Sequence, residues 1–278
     1  MNRLAPPVPN DLTPAPSPCP APPAIEATAS MALSRVLNLA LQAGLLAHQS
    51  GSATHATSLL MQRVARCLGA ERVDVLISST NVGITITVGN QSETAMRKAP
   101  HLGADFALLC ALTRWVRQLE DHALTLAGAE DALAALATPC PHYPLPLVVG
   151  MVGLACGGFA ALFGGDPVAI AITTLGAACG SAVKTWLARR HFSPAVFATV
   201  ASFVALLLTG ALRGLSATPS AALAASVLFL IPGVPLINAA SDLLNANYLN
   251  GMVRLTLSAV VVFGIALGMS LALRMIGL

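Results

Sequence analysis

The chain has 278 residues, 55% of them hydrophobic and only 10% charged. Soluble domains carry about 25% charged residues, so this is the composition of a membrane protein. The formal net charge of +3 comes from scattered arginines with no basic cluster interleaved with aromatics, so nothing points to nucleic acid as a partner.

The charge is unevenly placed. Ten of the twelve acidic residues precede Pro144, which leaves only Asp166 and Asp242 in the second half. The six cysteines (Cys19, Cys67, Cys110, Cys140, Cys156, Cys179) form no CxxC pair and read as small core residues of a reduced compartment. Cys140-Pro141-His142 offers two ligand types without the second pair a zinc site needs, so neither metal nor cofactor is expected.

In chain order, residues 1–28 hold nine of the nineteen prolines and predict a disordered tail. From Ser30, polar residues recur at Arg35, Asn38, Gln42 and Gln49 among leucines and alanines, which predicts an amphipathic helix ending near Gly51. A signal peptide beginning at Met31 is the rival reading, although the polar stripe interrupts the apolar core it would need. A second helix is expected over Ala53–Leu68. The β-branched run ERVDVLISSTNVGITITV (71–88) then predicts two strands joined around Thr80-Asn81. Helices are expected again over 103–126 and 128–138, so that 29–142 forms a cytoplasmic α+β domain.

Residues 143–278 predict an all-α polytopic membrane bundle of about five transmembrane helices. The spans are Leu145–Phe163, Pro167–Ala188, Pro194–Leu212, Ser220–Ser241 and Met252–Met275, each near the ~20 residues a bilayer requires. Lys184, Arg189, Arg190 and Arg254 fall on the side of the polar domain, and the positive-inside rule makes that side cytoplasmic. Lys184 is expected to snorkel to the interface with its two neighbouring arginines. Glycine pairs spaced GxxxG at 153/157, 176/180, 210/214 and 264/268 predict close helix contacts, with a face for another subunit, a second copy included.

The fourth span is interrupted. Pro232 and Pro235 flank Gly233 and remove two backbone donors, which predicts an unwound turn near mid-bilayer and a half-helix restarting at Pro235. Unpaired backbone at that depth is tolerated where it is buried in protein or lines a wet cavity. Free N–H groups at Leu236 and Ile237 would suit a carboxylate, as discontinuous helices do in secondary transporters. Asn238 and Asp242 share one face of the half-helix, Asn238 placed to bind a substrate polar group and Asp242 to exchange protons or guide a cation. A simple proline kink with a polar helix end remains the alternative.

The stretch AASVLFLIPGVPLINAASDLLNANYLNGMVRL (224–255) resembles the characteristic segment of the threonine/serine exporter family, in its half-size inner-membrane form. Looser matches are GLLAHQSGSATHATSLLMQRVARCLG (44–69), ISSTNVGITIT (77–87), and the Arg97-Lys98 pair followed by HLGADF. The resemblance covers about residues 35–276. It implies export of a small carboxylate-bearing metabolite, succinate or threonine/serine, together with a YjjB-like small membrane subunit. It also implies that Pro232, Gly233, Pro235, Asn238 and Asp242 line the transport pathway, with Arg66, Arg97 and Asp105 as further candidates in the soluble domain. Relatives often carry a glutamate where this chain has Ala53, so any role of that acid is in doubt here. No nucleophile, base and orienter stand at convincing spacing, and no enzyme is expected. Two other classes stay open: a membrane-anchored sensor or scaffold, and a hydrolase using Ser78, Ser79 or His101.

Overall fold

The computed structural model describes residues 24–99, 103–138 and 143–277. The proline-rich tail through residue 23, His101 and the Cys140–His142 pair lie outside the described residues. Helix α1 (Ala24–Gln49) begins before the expected Ser30, inside the stretch assigned to the tail, and α2 (Thr54–Cys67) follows after a four-residue turn. The sheet has three strands rather than two: β1 (Arg72–Ile77), β2 (Asn81–Val88) and β3 (Gln91–Lys98), an antiparallel meander in sequence order. Ile77 pairs with Val82 across the first turn and Val88 with Gln91 across the second. The missed strand, QSETAMRK, is an edge strand exposed along most of its length, with Thr94 its one β-branched residue. Its turn, Gly89-Asn90 with Gly89 at φ +56°, is a two-residue hairpin signal that was available in the sequence.

The third helix is shorter than expected. The 103–126 segment is helical only as α3 (Phe106–Glu120), and α4 (Leu126–Ala137) starts after a turn at His122, φ +53°, with Thr125 capping it through the Gly128 N–H. Helices α1 and α2 cover one side of the sheet and α3 and α4 pack on them, around a core that holds Leu41, Met61, Ile84, Ile86, Leu112 and Trp115. The Trp115 indole N–H donates to the Ala129 carbonyl at 3.2 Å, which satisfies the one polar atom it brings into this core.

Beyond residue 143 the helices are α5 (Leu145–Leu162), α6 (Pro167–Arg189), α7 (Pro194–Ala211), α8 (Pro219–Ala225), α9 (Gly233–Leu244) and α10 (Tyr248–Met275). Among the described residues, four helical segments are long and apolar enough to cross a membrane, Leu145–Leu162, Pro167–Arg189, Pro194–Leu215 and Tyr248–Met275. A fifth span is counted if Pro219–Leu230 and Gly233–Leu244, bent by 65°, form one broken crossing. Between α5 and α6, Asp166 caps α6 by accepting from the Ala169 N–H, and its Oδ1 also accepts from the Ser216 and Thr218 hydroxyls. Those hydroxyls, Ser216 first, hold its carboxyl down to about 2, so the cap is charged at any physiological pH.

Three of the four glycine pairs are packing faces. Gly153 and Gly157 meet α6 at Thr174 and Ile170, Gly176 and Gly180 meet α7 at Thr209 and Ala201, and Gly264 and Gly268 meet α7 at Ala195 and Thr199. Of the fourth pair, Gly210 touches Ile276 and Gly214 faces open space. A Cβ on Gly268 would stand 2.1 Å from the Ser202 hydroxyl and 2.2 Å from the Thr199 carbonyl, so only glycine lets α10 lie this close to α7. Gly268→Ala is therefore expected to cost about 1–3 kcal/mol by forcing the helices apart. Gly158→Ala, with nothing within 4 Å of its Cβ, should leave the thermal unfolding of the detergent-solubilised protein unchanged. Equal melting of the two variants would refute this packing.

Candidate functional site

The proline break settles its own backbone. Leu228–Leu230 is a single 3-10 turn in which the Ile231 N–H donates to the Leu228 carbonyl at 3.2 Å. Pro232, at φ −78° and ψ 63°, makes an inverse γ-turn, and the Gly233 N–H donates to the Ile231 carbonyl at 2.9 Å. The Leu228 and Ile231 carbonyls, which the missing donors of Pro232 and Pro235 would leave free in a helix, are thus paired. Helix α9 begins at Gly233 rather than Pro235, and the Leu236 N–H donates to the Pro232 carbonyl at 3.1 Å. The carboxylate cradle expected at Leu236 and Ile237 is therefore closed at Leu236, because the helix starts two residues earlier than the proline rule suggested.

From the break, α9 runs toward the turn between α1 and α2. That turn needs help from outside. Gly51 takes φ +84°, a conformation that disfavours any side chain, and a Cβ there would also crowd Ala104 at 3.3 Å. The residue capping α2 is Ala53, which has no side-chain acceptor for the orphan N–H groups of the first turn. Asp242 supplies one from 188 residues away. Its Oδ1 accepts from the Thr54 N–H at 3.0 Å and its Oδ2 from the Thr54 hydroxyl at 3.1 Å. The carboxylate is fully buried, and it lies at the positive end of the α2 dipole.

Arg254, two turns into α10, completes the arrangement. Its Nη1 stands 3.1 Å from Asp242 Oδ2, a charge contact without hydrogen-bond alignment, and its Nη2 donates to the Ser52 carbonyl at 3.1 Å. One turn before Asp242 on α9, the Asn238 amide donates to the Gly51 carbonyl at 2.7 Å. The backbone N–H of Asp105 donates to the Ser50 carbonyl at 3.0 Å, while its carboxylate caps α3 at Leu108. Three consecutive carbonyls, at residues 50, 51 and 52, are thus each held by a different element. The Asn250 amide adds a fourth tie, donating to the Ile77 carbonyl at the end of β1 at 2.8 Å.

Of the residues singled out in the sequence, Asn238, Asp242 and Asp105 converge on this turn, while Pro232, Gly233 and Pro235 lie about 10–15 Å up α9 from Asp242. Arg66 is exposed at the far end of α2, and Arg97 is exposed on β3, where it donates to Asn38 at 3.4 Å. Ser78 and Ser79 form the turn between β1 and β2. Thr54, Ser52 and Asn250 were not picked out, and Arg254 was read as a charge near the cytoplasmic interface rather than as a partner of Asp242. The missing cap at Ala53 was the available signal for the first, and Arg254 is the cation next in sequence after Asp242. Lys184 does not simply reach outward: its ammonium lies over the Phe229 ring, 5.8 Å from the centroid, in the 3-10 turn just before the break.

Comparison with known proteins places this architecture. Residues 38–276 match the family model ThrE, a threonine/serine exporter model. The chain belongs to the threonine/serine exporter family. It is 32% identical over 246 residues to the probable succinate transporter subunit YjjP of Escherichia coli (strain K12), covering 87% of this chain and 95% of that protein. The probable succinate transporter subunit YjjP of Klebsiella aerogenes is 29% identical over the same shares. A probable threonine/serine exporter of Mycobacterium tuberculosis is 27% identical over 249 residues, 86% of this chain but 46% of that longer protein. No solved structure matches the chain. This member of the exporter family is a multi-pass membrane protein whose apolar half follows a small helix-and-sheet region.

Breaking a buried ion pair from one side leaves an uncompensated charge and costs about 3–5 kcal/mol, whereas removing both partners costs less. Asp242→Asn and Arg254→Gln should each lower the unfolding midpoint of the detergent-solubilised protein, and the double variant should be no worse than the poorer single. Additive losses would mean that the two side chains act independently.

Proposed function

We propose that this chain is one subunit of an exporter for small carboxylate-bearing metabolites, succinate or another dicarboxylate, or threonine and serine as in the wider family. It acts in a bacterial inner membrane with a YjjB-like small membrane subunit, and its N-terminal region lies in the cytoplasm. The observation that carries the reading is the broken pair Pro219–Leu230 and Gly233–Leu244, bent by 65° within a bundle of apolar helices. A helix that serves only as an anchor needs no such break, whereas irregular backbone inside a membrane belongs beside a cavity or a substrate path. The names of the relatives support the substrate class and, through the word subunit, a partner. The side assigned to the N-terminal region rests on the clustering of Lys184, Arg189, Arg190 and Arg254 at that end of the bundle.

In this reading the break at Pro232, Gly233 and Pro235 lies on the pathway. Asn238 and Asp242 couple it to the α1–α2 turn, and Asp105 braces that turn from the other side. Arg66 and Arg97 are kept as soluble-region candidates on the family resemblance alone. A second reading, a membrane-anchored ligand sensor or scaffold, is favoured by an open apolar cleft of about 410 Å³ between α1 and the sheet, lined by Leu33, Val36, Leu68 and Val88.

The test is efflux of labelled succinate and threonine from preloaded proteoliposomes holding this chain alone or with its small partner. Efflux is expected only with both subunits. In Asp242→Asn it should fall severely while insertion is normal, since a loss of about 1.4 kcal/mol from the competent arrangement is already about tenfold in rate. No efflux of either solute from correctly inserted protein with the partner present would favour the sensor.

A further inference from the structure

Lys184 is one of only two lysines in the chain, and it is placed unlike the arginines around it. It stands about 7 Å inside the C-terminal end of α6, one turn beyond Gly180 and on the same face. That face looks at the break. A Cβ on Gly180 would lie 3.0 Å from the Phe229 Cζ, so the missing side chain is what lets the ring approach α6. Phe229 packs in turn against the buried residues Ala198, Ala201 and Leu230. The half-buried ammonium therefore lies where α6, α7 and the interrupted span meet.

What it lacks is an anion. None of the four ion pairs among the described residues includes Lys184. After Pro144 the sequence holds only two acidic side chains: Asp166 is taken by Ser216 and Thr218, and Asp242 by Thr54 and Arg254. An aromatic face stabilises a cation far less than a carboxylate does in a poorly solvated site. Intramembrane cations face a partner or a pathway. With the backbone cradle at Leu236 closed, the cation the structure shows against the segment of the break is Lys184, over Phe229.

We propose that Lys184, resting on the Phe229 ring, is the residue that binds the carboxylate of the transported metabolite beside the helix break. The assignment rests on the exporter reading and names the contact that reading leaves open. The ring serves the empty state, holding the ammonium in place until an anion takes its other side. The ligand class is a small aliphatic mono- or dicarboxylate, recognised through one carboxylate at this point.

The scarcity of lysine makes the test clean. In a Lys98→Arg background, Lys184 is the only side-chain amine of the chain, and its acylation by an amine-reactive reagent can be followed by mass spectrometry of its peptide. In the solubilised complex with the small subunit, succinate should slow that acylation and the neutral analogue succinamide should not. In proteoliposomes, Lys184→Gln should raise the KM for succinate efflux about 10- to 100-fold, the range expected for a lost charge-assisted contact, while Lys184→Arg stays near wild type. Absence of protection by succinate, equal protection by succinamide, or protection by the partner subunit alone would overturn the proposal. The two readings separate cleanly. Protection without efflux would sink the exporter and leave the carboxylate site standing, whereas efflux without protection would do the reverse.

Discussion

A fully buried carboxylate must be compensated, and the way Asp242 is compensated organises this molecule. The Thr54 N–H, the Thr54 hydroxyl and the Arg254 guanidinium all converge on it. Each comes from an element other than α9, so α9 can occupy its place only when α2 and α10 occupy theirs. The same carboxylate explains why Ala53 is tolerated at a helix start. A local cap is worth about 1 kcal/mol, and here that contribution arrives from the other half of the chain. The α1–α2 turn and the interrupted span are thereby parts of one arrangement.

The break is the complementary case. Two prolines and a glycine would be expected to leave raw backbone, yet a 3-10 turn and an inverse γ-turn pair the Leu228 and Ile231 carbonyls within the segment itself. The polarity at that point comes from a side chain on a neighbouring helix. Six basic residues and two acidic ones follow Pro144, and both acids are engaged. The bundle therefore carries an excess of positive charge, which suits an anionic cargo and disfavours a cationic one.

Much of the helical plan was legible because long apolar runs bounded by proline leave few choices. The ends of α5, α6 and α7 fall within a residue or so of expectation, and Asp166 and Ser193 stand just ahead of prolines that open α6 and α7. What local sequence does not show shares one cause: its structure is decided by partners distant in sequence. Strand β3 is polar and takes its form from pairing with β2. Asp242 reads locally as a titrating group beside a pathway, and only the fold reveals the helix end it caps. Lys184 reads as an interfacial lysine until Phe229 is brought over it by the closeness that Gly180 permits.

The 188-residue separation between Thr54 and Asp242 also has a meaning in time. Chains are elongated at roughly 5–20 residues per second, so the start of α2 waits about 10–40 s after its own synthesis before its cap is made. Arg254 emerges later still, and both must be delivered by spans that have already entered the bilayer. Through that interval the first helices exist with an unfinished corner. The last step in building the chain is therefore the closure of one of its earliest turns, and the membrane half must be assembled before the polar half can be complete.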